Sequence, residues 1–138
     1  MQTSIPLYTA GLLLIKNRKL LLAYSKNKKC FYLPGGKVDT GETSICALIR
    51  EIKEELNIAI TEADLLFYTH ISAPAYGELL GVIMEQDCFL LTSYSTPVAS
   101  AEIGEISYFS LEEYLQQPNT APGAVAIMQL LKKDNKID

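Results

Sequence analysis

The chain has 138 residues, of which 49% are hydrophobic and 20% are charged, and this composition predicts one globular domain over residues 1–138. Its net charge of −4 argues against a nucleic-acid polymer as the main partner. The apolar runs are far shorter than the ~18 residues that cross a bilayer, so we expect no membrane partner. The first residues do not resemble a secretory signal, which predicts a cytoplasmic location.

Two apolar runs near the N-terminus predict a β-hairpin. Leu7–Ile15 and Lys19–Tyr24 read as strands, and the polar Lys16-Asn17-Arg18 between them indicates a turn. A short strand-like run, Phe31-Tyr32-Leu33, follows and ends at Pro34. The next segment carries three glycines within seven residues, so we expect a loop with unusual turns. These glycines are Gly35, Gly36 and Gly41.

The segment from Thr43 to Leu56 predicts a helix. It contains no Gly or Pro, and Thr43 or Ser44 can serve as its N-cap. Its apolar residues recur at helical spacing: Ile45, Leu48, Ile49, Ile52 and Leu56.

Strands and helices alternate after this helix. Leu65–Ile71, Gly81–Leu91 and Ile106–Phe109 read as strands. Ser110 can cap a brief helix, and Ala124–Lys133 predicts a second amphipathic helix. Because strands flank the main helix on both sides, the class is mixed α/β.

Three carboxylates, Glu51, Glu54 and Glu55, fall within about 100° of the helical wheel. Their mutual repulsion calls for a nearby positive charge. One interpretation is a solvated face, because Arg50 and Lys53 are close in sequence. The other is a site for a hard divalent cation such as Mg²⁺, which binds carboxylates, waters and substrate phosphates. The glycine-rich loop just upstream favours the second interpretation.

A longer pattern runs from the glycine loop through the helix. Gly36, Glu42 and the run Arg50-Glu51-Ile52-Lys53-Glu54-Glu55-Leu56-Asn57-Ile58 resemble the Nudix box, G-x5-E-x7-R-E-U-x-E-E-x-G-U, in which U is aliphatic. Eight of its nine specified positions match. The departure is Asn57, where the box has Gly. Since Asn tolerates positive φ best among the other residues, we expect the loop geometry to be kept.

The resemblance implies a Nudix-type α/β/α sandwich, in which a mixed sheet lies between helices and a loop-helix-loop holds metal. It implies a hydrolase that cleaves a phosphoanhydride bond of a nucleoside diphosphate linked to another group. The short chain is similar to the mutator-type nucleoside triphosphate pyrophosphohydrolases. Glu51, Glu54 and Glu55 would hold Mg²⁺ or Mn²⁺, and Glu54 or Glu55 would also be the general base.

The other box residues take supporting roles in this resemblance. Arg50 would act in catalysis by orienting a carboxylate rather than by touching the substrate. Gly35 and Gly36 would form the loop at the phosphates, where Gly36 lets the backbone turn beneath the metal site. Glu42 would be structural or lie at the edge of that site.

A fourth metal-binding carboxylate completes the site in some members of the family. Three candidates lie outside the helix: Glu85, Glu102 and Glu105. Glu102 is preferred because it precedes a short aromatic strand by a spacing similar to the family's acidic loop, with Glu105 next. A solvated loop carboxylate is the alternative interpretation.

The substrate is left open by the sequence. Nucleotide sugars, ADP-ribose and dinucleoside polyphosphates compete with nucleoside triphosphates, and a homodimer is left open too. Tyr32, Tyr68, Tyr76 and Phe89 are candidates to stack on a base, although aromatic residues are also common in strands. His70 is expected to pack or hydrogen-bond rather than catalyse. The rival function is an inactive Nudix-like module that binds a small nucleotide, and the retained box carboxylates argue against it.

Overall fold

The computed structural model describes residues 4–138, which contain eight strands and three helices. In chain order these are β1 (Ile5–Leu13), β2 (Ile15–Lys16), β3 (Lys19–Ser25), β4 (Cys30–Tyr32), β5 (Gly35–Lys37), α1 (Ser44–Leu56), β6 (Leu65–Pro74), β7 (Val82–Leu91), β8 (Ile103–Phe109), α2 (Leu111–Leu115) and α3 (Pro122–Lys133). A 3-10 turn at Glu62–Asp64 precedes β6. Within residues 4–138, no helix is both long and apolar enough to cross a membrane.

The strands form two four-stranded sheets. The first is mixed and has the order β5-β1-β7-β6, in which β1 runs parallel to β7 and antiparallel to β5. Strand β6 closes it by antiparallel pairing with β7. The second sheet is antiparallel, and its strand β3 pairs with β2, β4 and β8. The predicted mixed sheet is confirmed. The second sheet is a separate feature that the sequence pattern does not predict.

Helices cover both faces of the mixed sheet because alternate residues of β1 point in opposite directions. Leu12 belongs to an apolar cluster with Ile52 of α1, which packs against β1 and β5. Leu13, the next residue, belongs to a second cluster with Ile127 and Leu131 of α3, which packs against β6. This arrangement is the predicted helix–sheet–helix layering.

The sequence predicts one strand over Leu7–Ile15, whereas the structure has two strands there, β1 and β2. The chain leaves the mixed sheet after Leu13 and enters the second sheet at β2, so the apolar run serves two sheets. The predicted hairpin turn is confirmed and is shorter than expected. Asn17 and Arg18 form it, with φ values of 52° and 62°, which suit a two-residue connection between twisted strands.

The glycine loop contains a strand that the sequence pattern does not predict. Gly35 lies opposite Gly11 and pairs β5 with β1. Its φ is 142°, and a Cβ atom there would lie 1.9 Å from the carbonyl oxygen of Ala10. Only glycine therefore permits this close pairing. Other corrections are to boundaries: β6 continues to Pro74, β8 begins at Ile103, and α3 begins at Pro122, which suits the first turn of a helix.

Both ends of α1 follow the prediction. Thr43 is the N-cap, and its Oγ1 accepts a hydrogen bond from the backbone N–H of Cys46 at 3.1 Å. Asn57 ends the helix in the left-handed conformation, with φ 56° and ψ 38°. Ser110 and Glu113 form the capping box that opens α2, as its sequence indicates. Local signals therefore place the helix ends.

We predict that Asn57→Gly leaves the free energy of unfolding unchanged or slightly higher, whereas Asn57→Val lowers it by about 1–2 kcal/mol, because a β-branched residue resists positive φ. Urea unfolding of the three proteins measures this difference. Equal midpoints for the Gly and Val variants would contradict the left-handed conformation at this position.

His70 lies on the outer part of the mixed sheet, between two carboxylates of β7. Its Nδ1 is 2.8 Å from Oδ1 of Asp87, and its Nε2 is 2.8 Å from Oε1 of Glu85. These hydrogen bonds raise the pKa of His70 above its ordinary value of 6.5, with Asp87 contributing most. The expected hydrogen-bonding role is therefore found, at an exposed position.

We predict that this cluster makes stability depend on pH. A raised pKa in the folded state means that protonated His70 stabilises the fold fully below pH 6.5, and that this contribution is lost as pH rises through the folded-state pKa. His70→Gln should therefore be less stable than the wild type in mildly acidic solution, by less than about 1 kcal/mol because the pair is exposed. Urea midpoints across this pH range measure the gap. A gap that does not shrink with rising pH would contradict the assignment.

Candidate functional site

A cavity of about 360 Å³ lies beside the mixed sheet, between α1, the loop before β8 and the start of α3. Its walls differ in chemistry. One side carries carboxylates from α1 and two loops: Asp39, Glu51, Glu55 and Glu102. The other side is formed largely by apolar and aromatic residues of β1, β7, α3 and the segments around β4 and the β6–β7 connection. The cavity can therefore accept a ligand with one anionic, metal-binding part and one flat apolar part.

Glu55 is the most buried carboxylate of the cavity, with 5% of its surface exposed. Its Oε1 accepts a hydrogen bond from the backbone N–H of Gly35 at 3.0 Å. Burial raises the pKa of Glu55 to about 8, because the Gly35 N–H opposes the shift only in part and neighbouring carboxylates, Glu51 and Glu102 among them, add to it. The negative charge of ionised Glu55 is therefore only partly offset, by a neutral backbone amide.

Arg50 holds the carboxylates beside the cavity. Its Nη1 donates to Oε1 of Glu51 at 2.8 Å, and its Nε and Nη2 donate to the two oxygens of Glu42 at 3.1 and 2.9 Å. These bonds hold the pKa of Glu42 below its ordinary value. Burial raises the pKa of Glu51, and Arg50 opposes that shift. Arg50 and Glu42 do not line the cavity, so their contacts position Glu51 at its wall.

Gly36 lies directly against the Glu51 side chain. A Cβ atom at Gly36 would be 2.4 Å from Cδ of Glu51, so a larger residue would displace that carboxylate. The sequence predicts a backbone turn at Gly36, whereas the structure places Gly36 within β5, opposite Ala10, and the positive φ values of this segment belong to Gly35 and Gly41. Gly36 instead provides space for the carboxylate.

The other predicted acidic residues occupy different positions. Glu102 lines the cavity, and its Oε2 accepts hydrogen bonds from Asn27 at 2.9 Å and from Ser25 at 3.3 Å. Glu105 is exposed on β8, and Glu85 is bound by His70 and Ser72 away from the cavity. Glu54 is exposed on α1 and does not line the cavity.

The cavity carboxylates suit a hard divalent cation. All of their donor atoms are oxygens, which Mg²⁺ and Mn²⁺ prefer. Among residues 4–138, the hydrogen bond to Glu55 comes only from the neutral amide of Gly35, so a cation would supply the missing charge. Within the same residues, no three Asp, Glu, His or Cys side chains form a ready metal site. Mg²⁺ keeps several waters, and these can bridge carboxylates that do not meet.

Sequence reasoning missed several polar residues of the cavity, among them Thr9 and Gln86 on the sheet and the lysines Lys28 and Lys37. Thr9 stands out in the sequence as a polar residue in a largely apolar strand, whereas Gln86 is flanked by Glu85 and Asp87, and the sequence does not show which of these side chains faces the cavity. Of the candidate aromatic residues, Tyr32 and Tyr76 line the cavity. Tyr68 instead binds Asp134, and Phe89 is buried in the cluster beneath α1.

Comparisons with known proteins agree with this architecture. The NUDIX domain family model matches residues 4–131. A curated relative, the ADP-ribose pyrophosphatase of Methanocaldococcus jannaschii, is 38% identical over 76 residues, which are 52% of this chain and 45% of that protein. The match thus spans about half of the chain and less than half of the relative.

Solved structures share the fold at low sequence identity. The MutT protein of Methanosarcina mazei has a TM-score of 0.74 at 22% identity, with 99% of each chain covered. A bifunctional NMN adenylyltransferase/ADP ribose pyrophosphatase of Francisella tularensis, solved with AMP and a Mn ion, has a TM-score of 0.69 at 23% identity, covering 97% of this chain and 43% of that chain. The solved structures show the shared fold, and the family match over residues 4–131 shows that the chain belongs to the Nudix hydrolase family.

Proposed function

We propose that the chain is a metal-dependent pyrophosphohydrolase of nucleoside diphosphates linked to another group, with nucleoside triphosphates and ADP-ribose as the first candidate substrates. The observation that carries the proposal is the buried Glu55, which shares one cavity with Glu51 and Glu102 and lacks a cationic partner among the described residues. A single domain over residues 1–138 and a cytoplasmic location stay predictions of the sequence.

The carboxylates divide the work in this proposal. Glu51, Glu55 and Glu102 would hold Mg²⁺ or Mn²⁺ from the cavity, and Glu54 would contribute from the exposed edge of the same helix. The bound ion would neutralise phosphate oxygens and lower the pKa of an attacking water. Arg50 would keep Glu51 in position without touching the substrate.

Glu54 or Glu55 would accept the proton of the attacking water. Glu55 is buried and holds its proton more tightly than usual in the ion-free protein, since the pKa is raised to about 8. A cation beside it would favour the ionised form that a base requires. Glu54 is exposed and would act at the cavity rim. The choice between them is left to mutagenesis.

The rest of the cavity suits the remainder of a nucleotide. Lys28 and Lys37 line it and would reduce the repulsion between the phosphates and the carboxylates. Tyr32 and Tyr76 offer aromatic surface to a base. Among the substrates that the sequence leaves open, ADP-ribose is a first candidate because the curated relative is an ADP-ribose pyrophosphatase.

The decisive experiment is a hydrolysis screen with Mg²⁺, with Mn²⁺ and with EDTA. It includes nucleoside triphosphates, ADP-ribose, nucleotide sugars and dinucleoside polyphosphates, and the products are separated by chromatography. We expect metal-dependent cleavage of a phosphoanhydride bond. Binding of a nucleotide without turnover of any compound would favour the inactive binding module.

We predict that Glu54→Gln and Glu55→Gln each lower turnover by orders of magnitude, because an amide cannot replace a charged ligand or base. Near-wild-type turnover in both variants at saturating Mg²⁺ would show that the acidic face is merely solvated. Thermal unfolding of both variants in EDTA serves as the folding control.

The two variants should differ in stability. In EDTA, Glu55→Gln should be more stable than the wild type above pH 8, because folding must bury an ionised Glu55 there. The gap should narrow as pH falls from about 8 toward the ordinary carboxyl pKa of 4.5, below which Glu55 is protonated in both the folded and the unfolded state. Glu54→Gln should show a much smaller change, because Glu54 is exposed. A gap that widens on acidification would contradict the burial argument.

We further predict that Glu102→Gln weakens activation by Mg²⁺ or lowers turnover at least tenfold, which is roughly 1.4 kcal/mol of transition-state stabilisation. Glu102 lines the cavity, whereas the matched controls Glu85→Gln and Glu105→Gln change carboxylates outside it. Initial rates across a Mg²⁺ titration measure the effect. Unchanged activation in the Glu102 variant beside a clear loss in a control would move the assignment to that control residue.

A further inference from the structure

Two polar side chains stand side by side in the cavity wall formed by the mixed sheet. Thr9 of β1 and Gln86 of β7 are partners in the parallel pairing, so both side chains project from the same face of the sheet. Both line the cavity and are nearly buried, with 8% and 6% of their surfaces exposed. Their strand neighbours on this face, Leu7 and Met84, are apolar.

Within the described part of the protein, the Thr9 hydroxyl group is unbonded and the Gln86 carboxamide makes one weak side-chain hydrogen bond. Oγ1 of Thr9 is buried and has no hydrogen-bond partner among residues 4–138. In the same part of the chain, the only side-chain hydrogen bond of Gln86 is accepted from the thiol of Cys88 at 3.8 Å, a weak contact. Buried polar groups in folded proteins are nearly always bonded, and an unbonded one destabilises the fold. The unbonded hydroxyl group of Thr9 therefore points to a missing partner.

The surroundings define what that partner looks like. Tyr32 and Tyr76 line the same cavity with Met84, so a flat, largely apolar ring fits beside them. A hydroxyl group and a carboxamide together offer neighbouring hydrogen-bond donors and acceptors. A nucleobase has this combination of a flat apolar face and an edge with adjacent donors and acceptors.

We propose that Thr9 and Gln86 hydrogen-bond the edge of the substrate's nucleobase and determine which base the cavity accepts. The proposal rests on the proposed function, because it assumes that the acidic side of the cavity receives the phosphates of the same nucleotide. It assigns base selection to the sheet and leaves the reaction to the carboxylates. Each of the two residues is a specificity-determining residue and takes no part in proton transfer.

The test uses neutral nucleosides so that neither metal nor phosphate contributes to binding. The full chain, labelled with ¹⁵N, is titrated in EDTA with adenosine, guanosine, cytidine and uridine, and amide chemical shifts are followed. We expect one base to bind best and to move the side-chain amide signal of Gln86, which is assigned by its absence in Gln86→Met. Thr9→Val and Gln86→Met should each weaken binding of that nucleoside by about fivefold to tenfold.

Matched substitutions outside the cavity are the controls. Thr92→Val removes a hydroxyl group that donates to the carbonyl oxygen of Asp64, and Gln129→Met changes an exposed amide on α3. Both should keep the wild-type order of the four nucleosides. With a substrate that the wild type hydrolyses, Thr9→Val and Gln86→Met should raise KM for the preferred base more than they lower kcat, and the preference among bases should flatten.

Thermal unfolding separates this role from a structural one. Thr9→Val should raise the Tm of the free protein by about 2–6 °C, because the substitution replaces an unbonded hydroxyl group with a methyl group of similar shape. A lower Tm would show that the hydroxyl group is bonded in the free protein, and this would overturn the proposal.

Binding results give the remaining outcomes. No nucleoside binding, equal binding of all four, or an unchanged order in both cavity variants would each overturn the proposal. Selective nucleoside binding in a protein that hydrolyses no nucleotide with Mg²⁺ or Mn²⁺ would reject the hydrolase function and leave the base-reading role in place.

Discussion

The hydrogen bond from Gly35 to Glu55 joins the two parts of the structure on which the site depends. It ties the carboxyl group of α1 to the backbone of β5, at the edge of the mixed sheet. Strand β5 can pair so closely with β1 only because Gly35 has no Cβ atom to meet the Ala10 carbonyl oxygen. A carboxyl group brought this far inside cannot be well hydrated, and its charge is therefore costly. The fold itself thus creates the demand for a positive charge at this point.

The contacts of Arg50 explain why Glu55, and not the carboxylates that Arg50 binds, needs an added positive charge. Its guanidinium group already contacts Glu42, Glu51 and Asp39 at the rim of the loop. The charges there are compensated within the protein, whereas Glu55 receives only a neutral amide. At the rim, Arg50 therefore balances the charges of the carboxylates that it contacts. Deeper in the cavity, the charge of Glu55 is not balanced. A cation at this site would therefore be held near Glu55, next to the sheet.

Local chemistry explains which features could be predicted from the sequence. The ends of α1, the capping box of α2 and the turn at Asn17 and Arg18 depend on a few neighbouring residues, and their signals are present in the sequence. The passage of one apolar run between two sheets and the pairing of β5 depend on strands distant in sequence. Periodicity carries no information on such pairing, so those features were missed.

The same distinction holds for the site. The box carboxylates lie on one helix, and their spacing shows that they are neighbours. Thr9 and Gln86 are 77 positions apart (86 minus 9) and become neighbours only when β1 pairs in parallel with β7. Gln86 stands between Glu85 and Asp87 in the sequence, and only the paired sheet shows that it faces the cavity together with Thr9.

The carboxylates and the polar residues of the sheet lie on different elements, which suits a ligand with one charged part and one flat ring. The cavity carboxylates belong to α1, the loop before it and the loop before β8, whereas Thr9 and Gln86 belong to the central strands of the sheet and have apolar neighbours on the cavity face. Substitutions on the strands can therefore change which ring is accepted without moving a carboxylate. Substitutions on α1 can change the handling of charge without changing the ring pocket. Because β1 lies between β5 and β7 and pairs with both, this pairing sets the distance between the Gly35–Glu55 contact and the two polar residues of the sheet.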